Sequence, residues 1–247
     1  MADAARCALS RVRRCEGSYN GAVSEPLAVA IDGPAGVGKS TVAREVAQRL
    51  GFVYVDSGAT YRAAALKVVE GGVSPDDAER VVELVRATDI RLESDGLDSR
   101  VLLDGRDAGQ RLRTPEITLA ASKVSRLPEV RHKLIALQRQ IASRHNVVME
   151  GRDIGTVVLP HAGLKIFLTA DPDERARRRL GQDQDQGRGG SLAETAADIG
   201  RRDRLDTERA VSPLVPAPDA VVIDSTELSA QQAVERIVEL ARERGLH

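Results

Sequence analysis

The chain has 247 residues with a formal net charge of -1, and 42% of its residues are hydrophobic, 30% charged and 2% aromatic. The near-neutral charge argues against a general attraction to nucleic acid or to membrane surfaces, and the scarcity of aromatic residues argues against a stacking platform for single strands. The length suits one large α/β domain or two small ones.

The N-terminal segment, residues 1–26, holds both cysteines of the chain, Cys7 and Cys15, and has no apolar stretch like that of a signal peptide. A zinc site is not expected, and a disulfide between these cysteines would only staple a tail. We interpret the segment as a flexible extension or a start-site artefact. A reducing cytoplasm is the simpler interpretation of these two cysteines. No apolar run approaches the roughly 18 residues that a membrane span needs, so no membrane partner is expected.

Short, β-branched apolar runs alternate with amphipathic stretches along the rest of the chain. The runs are Leu27–Ile31, Phe52–Val55, Val147–Met149, Leu164–Leu168 and Ala220–Ile223. Continuous apolar runs are typical of strands that are buried on both faces of a parallel sheet, and helices between them are typical of a doubly wound fold. The pattern predicts an α/β protein with a five-stranded parallel sheet.

The amphipathic stretches carry recognisable helix starts. They are Lys39–Leu50 with one apolar face, a cap and proline at Ser74-Pro75 and again at Thr114-Pro115, a capping box of Ser191 with Glu194, and a final helix over Ser229–Arg242. A hydroxyl cap satisfies free backbone N–H groups, and proline fits the first helical position because its missing N–H is not needed there.

Two stretches break the alternation of strands and helices. Asp89–Leu112 has alternating apolar residues separated by the turn pairs Asp95-Gly96 and Asp104-Gly105, which predicts a small antiparallel meander inserted between helices. Gln182–Gly190 is polar and rich in glycine, which predicts a mobile loop.

The segment GPAGVGKS, Gly33–Ser40, matches the phosphate-loop pattern G-x-x-x-x-G-K-[ST] between a predicted strand and a predicted helix. Its glycines let several backbone N–H groups face one anion, and the helix adds its positive end. Lys39 is predicted to reach the β- and γ-phosphates, and the Ser40 hydroxyl to ligate Mg²⁺. The predicted ATP-binding residues are Gly33, Pro34, Ala35, Gly36, Val37, Gly38, Lys39, Ser40 and Thr41.

Arginines lie on both sides of the predicted mobile loop. Those before it are Arg175, Arg178 and Arg179, and those after it are Arg202 and Arg209. Such an arrangement is typical of a lid that closes over phosphates, supplies cations for phosphoryl transfer and excludes water. The alternative is a solvated helix face with salt bridges such as Glu174–Arg178 at i,i+4.

The remaining motifs narrow the class of phosphate-loop protein. No Asn-Lys-x-Asp for guanine follows a later strand, and the strand over Val147–Met149 leads into EGRD rather than the Asp-Glu of an ATP-driven motor. A small-molecule kinase fits the length and the arginines better.

Five segments occur in a selective order: IDGPAGVGKST, DSGATYR, LAASKVS, EGRDIGTVV and RRDRLDTERAVSPLVPA. Together they resemble the bacterial cytidylate kinases, which make CDP from CMP and ATP, and the resemblance runs from about Leu27 to the C-terminus. It implies a three-layer P-loop kinase fold for residues 27–247, with an acceptor-binding lobe at about 58–145, the meander at 89–112 and a short lid at about 181–191.

The resemblance also implies a reaction. A monomer would transfer the γ-phosphoryl group of ATP, with Mg²⁺, to CMP or dCMP, giving ADP and CDP or dCDP, without a stable nucleic-acid partner. The ribose is assigned to Ser57, Asp206 and Arg209, the acceptor α-phosphate to Arg62, Arg152 and Arg202, and the cytosine edge to Ser122, Arg131 and Asp153. Lys39, Arg178 and Arg202 would stabilise the transferring group.

The base assignment makes chemical sense, because a carboxylate can accept from the cytosine amine and an arginine can donate to the ring acceptors. Uracil would set a second acceptor against Asp153, and discrimination by a repelled polar group can be large.

Plainer interpretations stay open for several of these residues. Ser57 would cap the following helix, Tyr61 would pack under the site, Asp153 would pair with Arg152 or another arginine, and Glu150 and Asp32 would order the phosphate loop rather than hold water on Mg²⁺. Two other functions also stay open: a kinase for UMP, AMP or a metabolite such as shikimate, and a nucleotide-dependent module whose arginines grip RNA.

Overall fold

The computed structural model describes residues 26–185, 187 and 189–247. The predicted N-terminal extension lies outside the described residues except for Pro26. In chain order the strands are β1 (Ala28–Asp32), β2 (Val53–Asp56), β3 (Ile90–Asp95), β4 (Asp98–Leu103), β5 (Arg106–Asp107), β6 (Val147–Gly151), β7 (Leu164–Thr169) and β8 (Val221–Asp224).

The predicted parallel sheet is confirmed. The described residues form a five-stranded sheet in the order β2-β6-β1-β7-β8, with every neighbouring pair parallel. Central β1 is fully buried from Val29 to Ile31, whereas Val222 on the edge strand β8 is 57% exposed. Each strand extends to the polar residue or glycine after its apolar run, since backbone pairing continues to the carboxyl edge of the sheet.

The α-helices lie between and beside these strands. They are α1 (Lys39–Leu50), α2 (Ser57–Glu70), α3 (Ala78–Ala87), α4 (Pro115–Val124), α5 (Pro128–Ala142), α6 (Pro172–Asp185), α7 (Leu192–Thr207) and α8 (Ala230–Glu243), with a 3₁₀ turn at Gly109–Arg113 and a π-helical turn at Ile154–Val158. No helix of the described part of the chain is long and apolar enough to cross a membrane.

The helix boundaries follow their caps. Helix α1 has its predicted limits, and Thr114, Ser191 and Ser229 each accept a backbone N–H at a helix start. The predicted start at Ser74 is wrong. Its carbonyl accepts the Asp77 N–H in a turn at 3.0 Å, and the Asp77 carboxylate then caps α3.

The antiparallel meander is also confirmed, as β3, β4 and β5 pair in that order. Gly96 and Gly105 form its turns with φ of 63° and 77°, a left-handed conformation that glycine adopts without strain. The meander packs on α2 and α5 in a core separate from that of the main sheet. Its tip reaches the sheet edge, where the Leu97 carbonyl accepts the Tyr54 N–H at 2.9 Å.

The predicted mobile loop over Gln182–Gly190 is wrong for its first residues, since α6 continues to Asp185. Arg179 pairs with Asp183 at 2.9 Å, one helical turn apart, which favours this extension. Gln186 and Arg188 lie outside the described residues. The limits given above for the acceptor-binding lobe and the lid stay predictions.

Candidate active site

An open cleft of about 960 Å³ lies at the carboxyl edge of the main sheet. Strand β1 leads into the phosphate loop, β2 leads into α2 at Ser57, and β6 leads into Arg152 and Asp153. Open α/β sheets bind ligands at this edge, because the loops that follow neighbouring parallel strands meet there. All nine residues predicted to contact CMP line this cleft.

The phosphate loop connects β1 to α1 with its backbone drawn tightly together. A Cβ on Gly33 would come within 2.1 Å of the Leu168 carbonyl oxygen, so only glycine fits there. The cleft is lined by Ala35, Gly36, Gly38, Lys39, Ser40 and Thr41 of the predicted ATP-binding residues. Gly33, Pro34 and Val37 are not among its lining residues; Val37 is 1% exposed and packs in the core of the main sheet.

Lys39 is buried at the first position of α1, and its Nζ donates to the Pro34 carbonyl at 2.6 Å. Burial and the nearby Arg152 guanidinium lower the pKa of Lys39 to about 7, although Glu150 and Asp32 oppose the shift. The Lys39 side chain is therefore held in the loop by one backbone carbonyl, and phosphate oxygens bound beside it would stabilise its protonated form.

The two acids near the loop have different tasks. The carboxylate of Asp32 accepts the N–H groups of Ile154 at 2.8 Å and Gly155 at 2.7 Å, so both of its oxygens are in use, and burial raises its pKa to about 6. Asp32 thus orders the turn after β6. Glu150 lines the cleft and accepts the Tyr54 hydroxyl at 2.6 Å. Burial raises the pKa of Glu150, while Lys39 and the hydroxyl partners oppose the rise.

On the opposite side of the cleft, Arg131 and Asp153 form a buried ion pair with side chains only 2% and 6% exposed. Arg131 also donates to the Ser125 carbonyl at 3.2 Å and lies over the Tyr61 ring, 5.4 Å from its centroid. Asp153 therefore pairs with Arg131 rather than with the adjacent Arg152. Tyr61 packs beneath this pair, as the plainer interpretation expected.

A second cluster joins β6 to α7. The Arg152 Nε donates to Asp206 at 2.8 Å, and Arg209 approaches the same carboxylate at 3.8 Å. Burial would raise the pKa of Asp206, but Arg152 and Arg209 hold it below its usual range. Burial and the charge of Arg152 lower the pKa of Arg202 to about 10.

Several donors of this side are buried without a hydrogen-bond partner in the described part of the chain. They include the Nε of Arg131 and the Nε and Nη2 of Arg209. Buried unpaired donors are uncommon, because each costs about 1–3 kcal/mol of lost hydration. Their position in the cleft suits a ligand with carbonyl, hydroxyl or phosphate acceptors.

The start of α2 contributes Ser57 and Arg62. The Ser57 hydroxyl donates to the Glu150 carbonyl at 2.6 Å, and Arg62 pairs with Asp56 at 2.5 Å with its side chain 24% exposed. The cap of α2 is Asp56, which accepts the Ala59 N–H at 3.1 Å, so Ser57 is not the cap. On α4, the half-buried Ser122 donates to the Thr118 carbonyl at 3.2 Å.

Arg178, predicted to stabilise the transferring group, is not among the residues that line the cleft, although it donates to the Val37 carbonyl of the phosphate loop at 3.4 Å. Its guanidinium donates to Glu174 at 3.0 Å and to the Ser225 carbonyl at 2.6 Å, which ties α6 to the loop after β8. Arg179, its neighbour, lines the cleft instead. The Glu174–Arg178 salt bridge that was named as the alternative is present.

The family model for cytidylate kinase matches residues 29–243. The chain belongs to the cytidylate kinase family. A cytidylate kinase of Desulfitobacterium hafniense is 49% identical over 214 residues, covering 87% of this chain and 92% of that protein. One of Geobacillus kaustophilus is 46% identical over 218 residues, covering 88% and 97%.

Among solved structures, a gluconokinase from Sinorhizobium meliloti is 14% identical with a TM-score of 0.48, covering 89% of this chain and 94% of that chain. A structure of TT1252 from Thermus thermophilus is 19% identical with a TM-score of 0.45, covering 89% and 97%.

The motifs of the cytidylate kinase resemblance come from different parts of the chain but meet in one place. DSGATYR follows β2, EGRD closes β6, and RRDRLDTER runs along α7 and past its end, and each contributes side chains to the cleft. Sequence reasoning missed Asp203 of the last motif, which contacts the phosphate loop directly. Its position one turn before Asp206 was the available signal.

Proposed function

We propose that the chain transfers the γ-phosphoryl group of ATP to CMP or dCMP, giving ADP and CDP or dCDP. The observation that carries the proposal is that one cleft has a phosphate loop on one side and buried, partly unpaired arginines on the other. Two anionic ligands can thus face each other across a short distance, as phosphoryl transfer needs.

The donor is bound by the phosphate loop. Backbone N–H groups at the start of α1 face the phosphates together with the positive end of the helix. Lys39 reaches the β- and γ-phosphates from the buried position it has at the first residue of α1.

The acceptor is bound on the opposite side. Arg62, Arg152 and Arg202 hold its α-phosphate, Ser57, Asp206 and Arg209 hold its ribose, and Ser122, Arg131 and Asp153 contact its base. The Asp153 carboxylate accepts from the cytosine amine, and the unpaired Arg131 Nε supplies a donor for a ring acceptor. The buried position of this ion pair supports strong discrimination, because an unmatched base would leave charged groups unpaired.

In the reaction, an oxygen of the acceptor phosphate forms a bond to the γ-phosphorus as the bond from that phosphorus to the β,γ-bridging oxygen breaks. ADP leaves with the electron pair of the broken bond. No side-chain base is required, because the attacking phosphate is already anionic. We assign the neutralisation of charge on the transferring group to Lys39, Arg202 and Arg179, and we prefer Arg179 to Arg178 because Arg179 lines the cleft.

The residues near the loop fit a magnesium ion carried by the ATP phosphates. The exposed Ser40 and the buried carboxylate of Glu150 both line the cleft, and the Ser40 hydroxyl lowers the pKa of Glu150 as a hydrogen-bond partner. Such an ion would be held by Ser40 and the nearby Glu150 together with the nucleotide, and it would supply positive charge to the transferring group.

Both sides of the cleft come from one chain, which supports a monomeric enzyme. We place it in the cytoplasm, where ATP and nucleoside monophosphates are available. Sedimentation at assay concentration would test the oligomeric state, since a dimer as the sole active species would contradict it.

A coupled assay of ADP formation with CMP, dCMP, UMP, AMP and GMP tests the reaction. We expect the highest kcat/KM with CMP or dCMP, and turnover with AMP or GMP above both would contradict the assignment of the base site. Salt-sensitive RNA binding without transfer to any monophosphate would instead favour the nucleic-acid module.

A further inference from the structure

One residue of the phosphate loop is held by side chains of α6 and α7. The Ala35 N–H donates to the Asp203 carboxylate of α7 at 2.9 Å, and the Ala35 carbonyl accepts from Arg175 of α6 at 3.0 Å. Arg175 and Asp203 also form an ion pair with each other. Both backbone groups of Ala35 are therefore bound from outside the loop.

An apolar contact surrounds these polar ones. Ala35 packs with Ala176 of α6 and with Ile199 of α7 in a small buried cluster. A Cβ added to the neighbouring Gly36 would come within 2.9 Å of the Arg175 carbonyl oxygen and 3.0 Å of the Ile199 Cδ1. Because the fit is this close, a shift of α7 either displaces the phosphate loop or breaks the contact between them.

The base of this contact is anchored to the main sheet. The Arg175 Nε donates at 3.2 Å to the carbonyl of Ala170, the residue directly after β7, and Arg175 is 9% exposed. The position of α7 is therefore set relative to both the sheet and the phosphate loop.

Residues on either side of Asp203 along α7 belong to the proposed acceptor site. Arg202 precedes it, and Asp206 follows three residues later and pairs with Arg152 on the acceptor side of the cleft. Because Asp203 fixes this helix to Ala35, it fixes the distance between these side chains and phosphates bound in the loop.

We propose that Asp203 is a positioning residue that couples the phosphate loop to α7 and aligns Arg202 with the transferring phosphoryl group. The inference rests on the proposed function for its kinetic consequence only. Asp203 also occupies the Ala35 N–H, so this group is not one of the N–H groups that bind phosphate.

The test compares Asp203→Ala and Asp203→Asn with Asp198→Ala. Asp198 lies on the same helix, its side chain is 65% exposed, and it pairs with Arg201. We expect Asp203→Ala to lower kcat about 10- to 100-fold with KM for CMP and ATP changed less than about threefold, because a small misplacement near the reacting atoms is costly. Asp203→Asn keeps an acceptor for the Ala35 N–H, so we expect an intermediate kcat, and Asp198→Ala should match the wild type.

A second readout does not depend on activity. Hydrogen exchange of the Ala35 amide in the nucleotide-free chain should be about tenfold or more faster in Asp203→Ala than in the wild type, and unchanged in Asp198→Ala. If Asp203→Ala does not fold, the same comparison with Asp203→Asn decides, because loss of the charged pair with Arg175 still weakens the contact.

Unchanged exchange at Ala35 and unchanged kcat in a folded Asp203 variant would overturn the proposal. So would a loss of kcat that is matched by equal losses of both nucleotide affinities, since that indicates general damage to the cleft. If the wild type phosphorylates no monophosphate while the Ala35 exchange responds as expected, the coupling stands and the proposed function fails.

Discussion

The two sides of the cleft satisfy their polar groups in different ways. On the phosphate-loop side, the Lys39 amine bonds to the Pro34 carbonyl at 2.6 Å and the Ala35 N–H to Asp203 at 2.9 Å. On the acceptor side, buried N–H groups of Arg131 and Arg209 have no hydrogen-bond partner in the described part of the chain.

The phosphate-loop side is therefore a preformed binding site, whereas the hydrogen bonds of the acceptor side are completed only when a ligand binds. The phosphate loop has its shape before a nucleotide arrives, since side chains from α6 and α7 already hold it. The acceptor side carries unpaired buried donors, which lower stability until a ligand pairs them. Changes on the first side should thus act mainly on rate, and changes on the second mainly on acceptor affinity.

The largest effect is expected for Lys39→Ala, which removes the cation at the transferring phosphoryl group. We expect kcat to fall about 10³-fold while the affinity for CMP changes less than about threefold, measured by steady-state kinetics and calorimetric titration. Lys67→Ala is the control, because Lys67 pairs with Asp104 on the lobe that carries the meander. Lost CMP affinity with an unchanged rate would place Lys39 on the wrong side of the cleft.

Arg62→Ala should show the reverse pattern. Removing a charged donor to the acceptor phosphate should weaken CMP binding about 10- to 100-fold and ATP binding less than about threefold. Titrations of both nucleotides measure this, with Arg91→Ala as a control at an exposed arginine paired with Asp89. Equal losses of affinity for the two nucleotides would contradict a specific role of Arg62 and the start of α2 in the acceptor site.

The adjacent arginines of α6 offer a sharper contrast within one helix. Arg179 lines the cleft, so Arg179→Ala should lower kcat about tenfold. Arg178 bonds to Glu174, to the Ser225 carbonyl and, at 3.4 Å, to the Val37 carbonyl, and it does not line the cleft, so Arg178→Ala should reduce the free energy of unfolding by about 1–2 kcal/mol and leave kcat within about threefold. Denaturant unfolding and kinetics on both variants measure this, and the opposite ranking of kcat would restore Arg178 to the site.

The smallest expected effect is the uptake of a proton when ATP binds. Burial and Arg152 lower the pKa of Lys39 to about 7, so at pH 8 the neutral amine is the major form in the nucleotide-free chain. Phosphates beside it raise that pKa, so ATP binding should take up close to one proton at pH 8 and fewer near pH 6. Calorimetry in buffers of different ionisation enthalpy measures the uptake.

Lys39→Ala should abolish this uptake, and equal proton exchange in variant and wild type would contradict the assignment. The lowered pKa also predicts a trend in stability, because the unfolded chain binds more protons at this amine than the folded chain between pH 7 and about 10. The contribution of Lys39 to the free energy of unfolding should therefore increase as the pH rises through that window.

Features fixed by neighbouring residues were predictable from the sequence. The phosphate loop and α1 follow from GPAGVGKS and an apolar helical face, and the meander follows from Asp-Gly turns between alternating residues. The cap at Asp77 in place of Ser74 was less accessible, since two acceptors three residues apart compete to start the helix and tertiary packing decides.

Features fixed by packing between distant elements were not predictable in detail. Arg178 and Arg179 are adjacent on α6, and only the packing of α6 in the fold decides that Arg179 lines the cleft while Arg178 bonds to the Ser225 and Val37 carbonyls. Asp153 pairs with Arg131 of α5 rather than with its neighbour Arg152. This choice was not predictable, because the position of α5 depends on packing between distant elements. The contact of Asp203 with Ala35 joins residues 168 positions apart.

The most direct test of this division of the cleft is a calorimetric titration of CMP, and separately of ATP, into the wild type and Arg209→Met. Arg236→Met is the control, because Arg236 is exposed and pairs with Glu239. If buried unpaired donors bind the acceptor, Arg209→Met should weaken CMP binding about 100-fold, leave ATP binding within about threefold and keep the nucleotide-free chain at least as stable. Unchanged CMP affinity, or equal losses for CMP and ATP, would contradict the division of the cleft into a preformed donor side and a ligand-completed acceptor side.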